Sequence, residues 1–270
     1  AARAAAEAAR VAELARLEAI RQATADKPSL NVEARTGGDE DNAISLDIDT
    51  EMTDSVGNET LTIEISGVPS GAVLSHGEGN SAVTLSADSG VESSDGTFTY
   101  TLAPEQLAGL QVTPPENSSD DFSLKVNSIS TVSAAQGGAS ANIEATIDVT
   151  VDAVADAPSL SVHNPETLED TAVGLPIDTG VTDTDGSEVV TAVTITDIPF
   201  GASLSLPEGS SLTMTVSADG HTATLTGSGV DVNGDPDGSF TADELAALTS
   251  GEVSITPPQD LSIDFALQVT

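Results

Sequence analysis

The sequence has no cysteine and no tryptophan, one tyrosine, five phenylalanines and only seven lysines plus arginines in 270 residues. Without cysteine, disulfides, thiolate nucleophiles and cysteine-ligated zinc or iron–sulfur centres are excluded. With aromatics at 2%, a platform on which sugars or bases stack is not expected, because such platforms are made of rings. No stretch approaches the ~20 consecutive apolar residues of a membrane span. Nor does a charged, then apolar, secretory signal open the chain. The first residue is Ala1 rather than Met, so a segment of a longer protein is expected. Basic residues are outnumbered by 44 acids, for a net charge of −37. Neither a nucleic-acid backbone nor an anionic membrane surface is held by such a charge.

What remains is carboxylate, and a core that must come from Val, Ile, Leu and Ala. Residues 1–28 hold five of the basic residues and four acids, whereas everything after them carries two basic and 40 acidic residues. A chain that acidic repels itself when compact, and bound cations relieve the repulsion. A salt-adapted, soluble surface is the alternative reading of the same composition.

Residues 1–25 read as one Ala-rich helix, with no Gly or Pro inside and a stop before Pro28. Val11, Leu14, Leu17 and Ile20 recur every third position, which drifts around a helix and is no heptad seam. A solvated spacer and a helix that packs on a partner both fit. From Asp26 onward Thr, Ser, Val, Ile, Gly and Asp alternate with period two, most clearly in Ile143-Glu-Ala-Thr-Ile-Asp-Val-Thr-Val151. Short strands punctuated by Gly, Pro and Asp predict β-sandwiches.

The sandwich is written twice. Asp26-Lys-Pro-Ser-Leu-Asn-Val32 matches Asp156-Ala-Pro-Ser-Leu-Ser-Val162, and Glu40-Asp41 matches Glu169-Asp170. Thr53-Asp-Ser-Val-Gly-Asn-Glu59 matches Thr182-Asp-Thr-Asp-Gly-Ser-Glu188, and Val68-Pro-Ser-Gly-Ala72 matches Ile198-Pro-Phe-Gly-Ala202. Val112-Thr-Pro-Pro115 and Asp121-Phe-Ser-Leu-Lys-Val126 recur as Ile255-Thr-Pro-Pro258 and Asp264-Phe-Ala-Leu-Gln-Val269. Such an ordered set marks a tandem array: a helix over 1–25, repeat 1 over 26–155 and repeat 2 over 156–270. The strand matching 143–151 in the second repeat would fall beyond Thr270. Thr241-Ala-Asp-Glu244 is a capping box for a short helix. Pro104 is expected to open its counterpart.

The acidic turns are the candidate sites. Asp183, Asp185 and Glu188 surround a Gly, with Glu169 and Asp170 one strand earlier and Asp152 and Asp156 flanking the boundary between repeats. Hard cations such as Ca2+ take six to eight oxygens, and such a set supplies them; an ordinary Asp-Gly turn is the alternative. Carboxylates brought together without a cation would repel strongly. In the first repeat Val56 stands where Asp185 stands and Asn58 replaces Ser187, so its site is expected to be weaker or empty. Asp231, Asn233, Asp235 and Asp237 form a second oxygen-rich loop. It departs from an EF-hand, with Pro236 where Gly is needed and Ala242 where Glu is needed. The three histidines have no ligand spacing, no nucleophile elbow or P-loop occurs, and no enzyme is expected.

Together, Val151-Asp-Ala-Val-Ala-Asp-Ala-Pro158, Leu168-Glu-Asp-Thr171, Asp183-Thr-Asp-Gly-Ser-Glu188, Asp237-Gly-Ser-Phe240 and Thr256-Pro-Pro258 resemble the tandem extender repeats of giant type I-secreted, RTX-type bacterial adhesins. The resemblance covers residues 26–270. It implies cadherin- or Ig-like β-sandwiches, calcium at the domain junctions, export without an N-terminal signal, and a surface-displayed chain retained at the outer membrane. Neighbouring repeats of the same chain would be its partners, and the adhesion target would be carried by a distant module. The glycine-rich calcium nonapeptide of the group is absent. A calcium-dependent ligand- or glycan-binding module, and a surface-layer or filament subunit joined by strand donation, are the other readings.

Overall fold

The alternation over 143–151 sets the architecture, because period two sends Ile147, Val149 and Val151 to one face and Thr146, Asp148 and Thr150 to the other. In the computed structural model the three apolar side chains are 1%, 1% and 6% exposed. The structure describes residues 2–53, 59–77, 83–85, 89–183, 185–231 and 233–270. The chain is mostly β. It divides into two compact units, 1–154 and 155–270, the N-terminal helix being counted with the first.

Unit 1 begins with helix α1 (Ala2–Gln22). Its strands are β1 (Ser29–Val32), β2 (Arg35–Asp39), β3 (Ile44–Ser45), β4 (Ile48–Glu51), β5 (Glu59–Val68), β6 (Val73–His76), β7 (Val83–Thr84), β8 (Val91–Glu92), β9 (Phe98–Leu102), β10 (Gln111–Thr113), β11 (Phe122–Val132) and β12 (Ser140–Asp152). One layer runs β2-β12-β11-β5-β9-β8; the other is β3-β10-β6-β7, with the pair β1-β4 beside it. β12 is antiparallel to β11, with Leu124 opposite Ile147, and parallel to β2, with Asp152 opposite Asp39. Between the layers lies a core that includes Ile63, Ile65, Leu74, Tyr100, Leu124, Val126 and Ile147. Each such side chain contributes about 1.5–3 kcal/mol by leaving water. Across the same core the Thr50 and Ser128 hydroxyls meet at 2.6 Å, and Thr50 donates to the Ser29 carbonyl. Two small hydroxyls thus satisfy each other where a buried polar atom would otherwise cost stability.

The strands of unit 2 are β13 (Ser159–Val162), β14 (Val173–Gly174), β15 (Ile177–Gly180), β16 (Val193–Thr196), β17 (Ser203–Ser205), β18 (Thr213–Val216), β19 (Ala223–Thr226), β20 (Ser254–Thr256) and β21 (Gln268–Val269). These form sheets β13-β15, β14-β20-β17 and β18-β19-β16-β21. Their core includes Ile177, Ile195, Leu225, Leu248 and Ile255.

Helix α1 keeps Val11, Leu14, Leu17 and Ile20 52–58% exposed. Among the described residues no helix is long and apolar enough to cross a membrane. The second expected helix forms as α2 (Ala242–Thr249) with the capping box complete: Thr241 Oγ1 accepts from Glu244 N–H and Glu244 accepts from Thr241 N–H. Its expected counterpart in unit 1 is instead one 3-10 turn, Pro104–Leu107. Ala103 has no side-chain acceptor to cap it, and Gly109 turns the chain away at φ 65°.

Glu244 is 4% exposed. Burial pushes its pKa upward, yet hydrogen bonds from the Ser211 hydroxyl, Thr241 N–H and Ser228 outweigh that and hold it at about 2. A carboxylate depressed on folding adds stability above its ordinary pKa and loses it as pH falls toward the folded value. The contribution is on the order of 3 kcal/mol. Unit 2 should therefore lose stability between roughly pH 5 and pH 2; thermal melts across that range should show the slope flattened in Glu244→Gln. In unit 1, Gly67 has φ +84° where the β5–β9 register shifts, and a Cβ there would lie 2.6 Å from the Ser123 carbonyl oxygen. Gly67→Ala should cost about 1–3 kcal/mol, read as an earlier urea transition in the fluorescence of Tyr100.

Candidate metal-binding poles

Because β5, β11 and β12 run the length of unit 1, they give it two ends. At one end β5 begins, and Glu59 accepts the backbone N–H of Asp26 at 3.1 Å and the hydroxyl of Ser130. At the other, β12 finishes beside β2 and gathers Asp39, Glu40, Asp41, Asp121 and Asp152. Here Asp121 accepts Val151 N–H at 2.8 Å, the Asp152 carbonyl accepts Glu40 N–H at 3.0 Å, and Asp41 accepts Asn117 N–H at 2.9 Å. Glu40 is only 3% exposed. Its Oε1 accepts Val154 N–H at 2.6 Å, while the buried Oε2 has no hydrogen-bond partner. A buried carboxylate oxygen left so is costly unless a donor or a cation completes it.

Unit 2 reproduces the first end closely. Glu188, the counterpart of Glu59, accepts the N–H of Asp156, the counterpart of Asp26, at 2.5 Å. Its Oε2, unlike that of Glu59, is buried without a hydrogen-bond partner. Asp183 is 4% exposed, and exposed Asp185 accepts Ser187 N–H at 2.8 Å. Asp54, Val56 and Asn58, on which the comparison with the first repeat turns, lie outside the described residues.

The seven acids proposed at the repeat boundary do not form one set within unit 2. The β13–β15 ladder pairs Ser159 with Gly180 and Val162 with Ile177. Asp156 and Asp183 lie beyond its first end, and the chain leaves from its second end toward Glu169 and Asp170. Asp170, at φ 59°, accepts Asp260 N–H at 3.1 Å, the same arrangement as Asp41, at φ 56°, with Asn117. Asp152 belongs to unit 1, where its partner is Glu40. Glu169 is exposed although its counterpart Glu40 is buried. The difference follows from β12, which covers Glu40 and has no counterpart among the described residues of unit 2. Glu40 was visible in the sequence only as half of a repeated pair; its burial comes from a strand end more than a hundred residues away.

The second candidate loop folds on itself. Asp231 accepts the N–H groups of Asn233 and Asp235, both at 2.9 Å, and the Asn233 side chain at 3.2 Å. Those bonds, first the one from Asp235, hold its carboxyl below the usual range. Asp237 is lowered by Ser239, whose N–H it accepts at 2.8 Å. Asp235 is exposed. Among the described residues, no three His, Asp or Glu side chains stand close enough to hold a metal ion as they are. Calcium at either end of a unit would require exposed carboxylates to swing in beside the buried one.

No family model and no curated protein matches the chain. Among solved structures it is similar to the titin domains z1z2 in complex with telethonin, at 11% identity over 82% of this chain and 85% of that one, with a TM-score of 0.25. It is also similar to the mouse coronavirus receptor-binding domain complexed with its murine receptor, at 13% identity over 80% and 87%, TM-score 0.19. Extracellular domains 3–5 of Drosophila OTK match at 14% identity over 73% and 51%, TM-score 0.18. These neighbours are Ig-like, in keeping with the sandwiches above, and superpositions this loose carry nothing about function.

Proposed function

We propose that the chain is a structural extender segment of a large bacterial surface adhesin, held outside the cell and retained at the outer membrane. It binds no nucleic acid, does not insert in the membrane and carries out no reaction. Its partners are neighbouring repeats of the same polypeptide, and a distant module carries the adhesion target. Calcium, in this reading, stiffens the connection around residues 152–156.

The observation that carries the calcium reading is Glu40. It is a buried carboxylate at the end of unit 1 that grips the connecting segment through Val154 N–H and leaves one oxygen without a partner. Glu188 supports it, taking Asp156 N–H in unit 2. A cation beside either glutamate would satisfy the open oxygen and neutralise the nearby acids, Asp39, Asp41 and Asp152 in one unit and Asp183 and Asp185 in the other. Without the ion the like charges push apart, and the connecting segment is held by fewer contacts.

Melting and small-angle scattering in excess chelator, then in calcium, test this. Calcium at about a hundredfold over its Kd should raise Tm by about 10 °C and lengthen and stiffen the particle; sodium at equal ionic strength should do neither. Asp183→Asn with Asp185→Asn should abolish the stiffening, and unchanged calcium affinity in that double variant would falsify the junction role. Glu40→Gln should melt no lower than the parent in chelator, since it removes a buried charge, yet lose most of the calcium-induced rise of unit 1.

A further inference from the structure

The loop between β19 and α2 holds the dipeptide Asn233-Gly234, the one Asn-Gly step in the sequence. Glycine after asparagine matters because a backbone nitrogen with no Cβ beside it can approach the asparagine side-chain carbon closely. Both residues are exposed. Gly234 has φ +85°, and a Cβ placed on it would meet nothing within 4 Å, so water reaches the turn. Yet the two groups that would react are both held by one residue. Gly234 N–H donates to the Asp231 carbonyl at 2.9 Å. Asn233 Nδ2 donates to Asp231 Oδ2 at 3.2 Å, and Asp231 Oδ1 accepts the N–H groups of Asn233 and Asp235, both at 2.9 Å. Asp231 N–H closes the loop on the Asp235 carbonyl at 2.8 Å.

We propose that Asn233 is a site of spontaneous deamidation and that Asp231 sets its rate. The backbone nitrogen of Gly234 gives its proton to solvent and bonds to Cγ of Asn233. The Cγ–Nδ2 bond breaks, and Nδ2 takes up a proton and leaves as ammonia. Water, the sole co-reactant, then opens the succinimide ring at one of its two carbonyls. Cutting the bond from Gly234 N to Cγ leaves aspartate at 233; cutting the bond to the main-chain carbonyl carbon leaves isoaspartate. Folding slows the first step. The nucleophile must give up the Asp231 carbonyl, and the leaving amide must give up Asp231 Oδ2, before they meet.

The change is one-way, and it undoes the loop. With aspartate at 233, a carboxylate replaces the amide that donates to Asp231 Oδ2, and two like charges face each other. With isoaspartate, the backbone between residues 233 and 234 lengthens by a methylene, and the turn closed by the N–H groups of Gly234 and Asp235 loses its register. Either product weakens the hold of Asp231 on its own backbone. A closed ring of hydrogen bonds thus ages into an open set of acids at 231, 233, 235 and 237. None of this depends on calcium or on the extender reading.

The test incubates the 270-residue chain in excess chelator at neutral pH and follows each asparagine by peptide mapping after cleavage with an acid-specific protease. Enzymatic methyl transfer to isoaspartate gives a second readout. Asn233 should lose its amide before any other asparagine and yield both products. Asn233→Gln should remove the isoaspartate at that site, since the longer side chain cannot close the same ring. In urea, where the bonds to Asp231 are gone, the site should react about two- to tenfold faster than in the folded chain. Asp231→Ala, at an exposed position, should reproduce that acceleration without urea, and Asp231→Asn, whose amide oxygen still accepts, should fall between. Amide exchange at Asp231 and Asp235 should quicken as the products accumulate. Another asparagine reacting first, equal rates in folded and unfolded chain, or an Asp231→Ala chain that reacts at the parent rate would each overturn the assignment.

Discussion

Strand β12 hydrogen-bonds along both of its edges, antiparallel to β11 and parallel to β2, and buries three β-branched side chains on its inner face. In a sequence almost without aromatic rings, closure of a sandwich depends on many such mid-sized side chains stacked at period two. With no Trp and five Phe in the chain, large rings contribute little to that closure. Remove β12 from unit 1 and β2 loses its partner, Leu124 and Phe122 lose their cover, and Glu40 loses the bond from its N–H to Asp152. Among the described residues unit 2 has no strand in that place; its Leu267 and Val269 are half-buried and its Glu169 is exposed.

The same dependence explains the electrostatics. Two glutamates, Glu59 and Glu188, hold the backbone just before the first strand of their units, and each does so from the start of the strand region that follows the acidic turn. The Asp and Glu of this pairing stand at matching places in both repeats, and both glutamates accept the matching backbone N–H. Glu40-Asp41 and Glu169-Asp170 are written identically, but their surroundings differ because β12, which covers Glu40, has no counterpart among the described residues of unit 2. The environments of Glu40 and Glu169 are decided by long-range pairing, whereas that of Asp231 is set by its neighbours in sequence.

What the sequence showed and what it hid divide along that line. Alternation over 143–151 and the Thr241/Glu244 capping box are local, and each appears in the structure where it was expected. The helix anticipated at Pro104 shrank to a 3-10 turn because Ala103 offers no cap oxygen and Gly109 leaves the helical region. The boundary acids divided between units and ends because strand register, which no spacing rule supplies, sends Glu169 and Asp170 beyond one end of a ladder and Asp156 beyond the other. The Asp231 loop looked like a ligand ring in sequence; in the fold its first carboxylate already accepts bonds from its own backbone.

The parallel register of β2 and β12 has a mechanical meaning. Tension entering unit 1 from its N-terminal side would meet β1, paired with β4, before it reached β2 at Arg35, and tension leaving it would act on β12 at Asp152, at the opposite end of the β2–β12 ladder. Parallel strands pulled from opposite ends slide along each other, so the bonds joining the five residue pairs from Asp148/Arg35 to Asp152/Asp39 bear the load together. Antiparallel strands pulled from one end unzip instead, breaking their bonds in turn at lower force. Under such a load the β2–β12 ladder of unit 1 would resist in shear, all five pairs together.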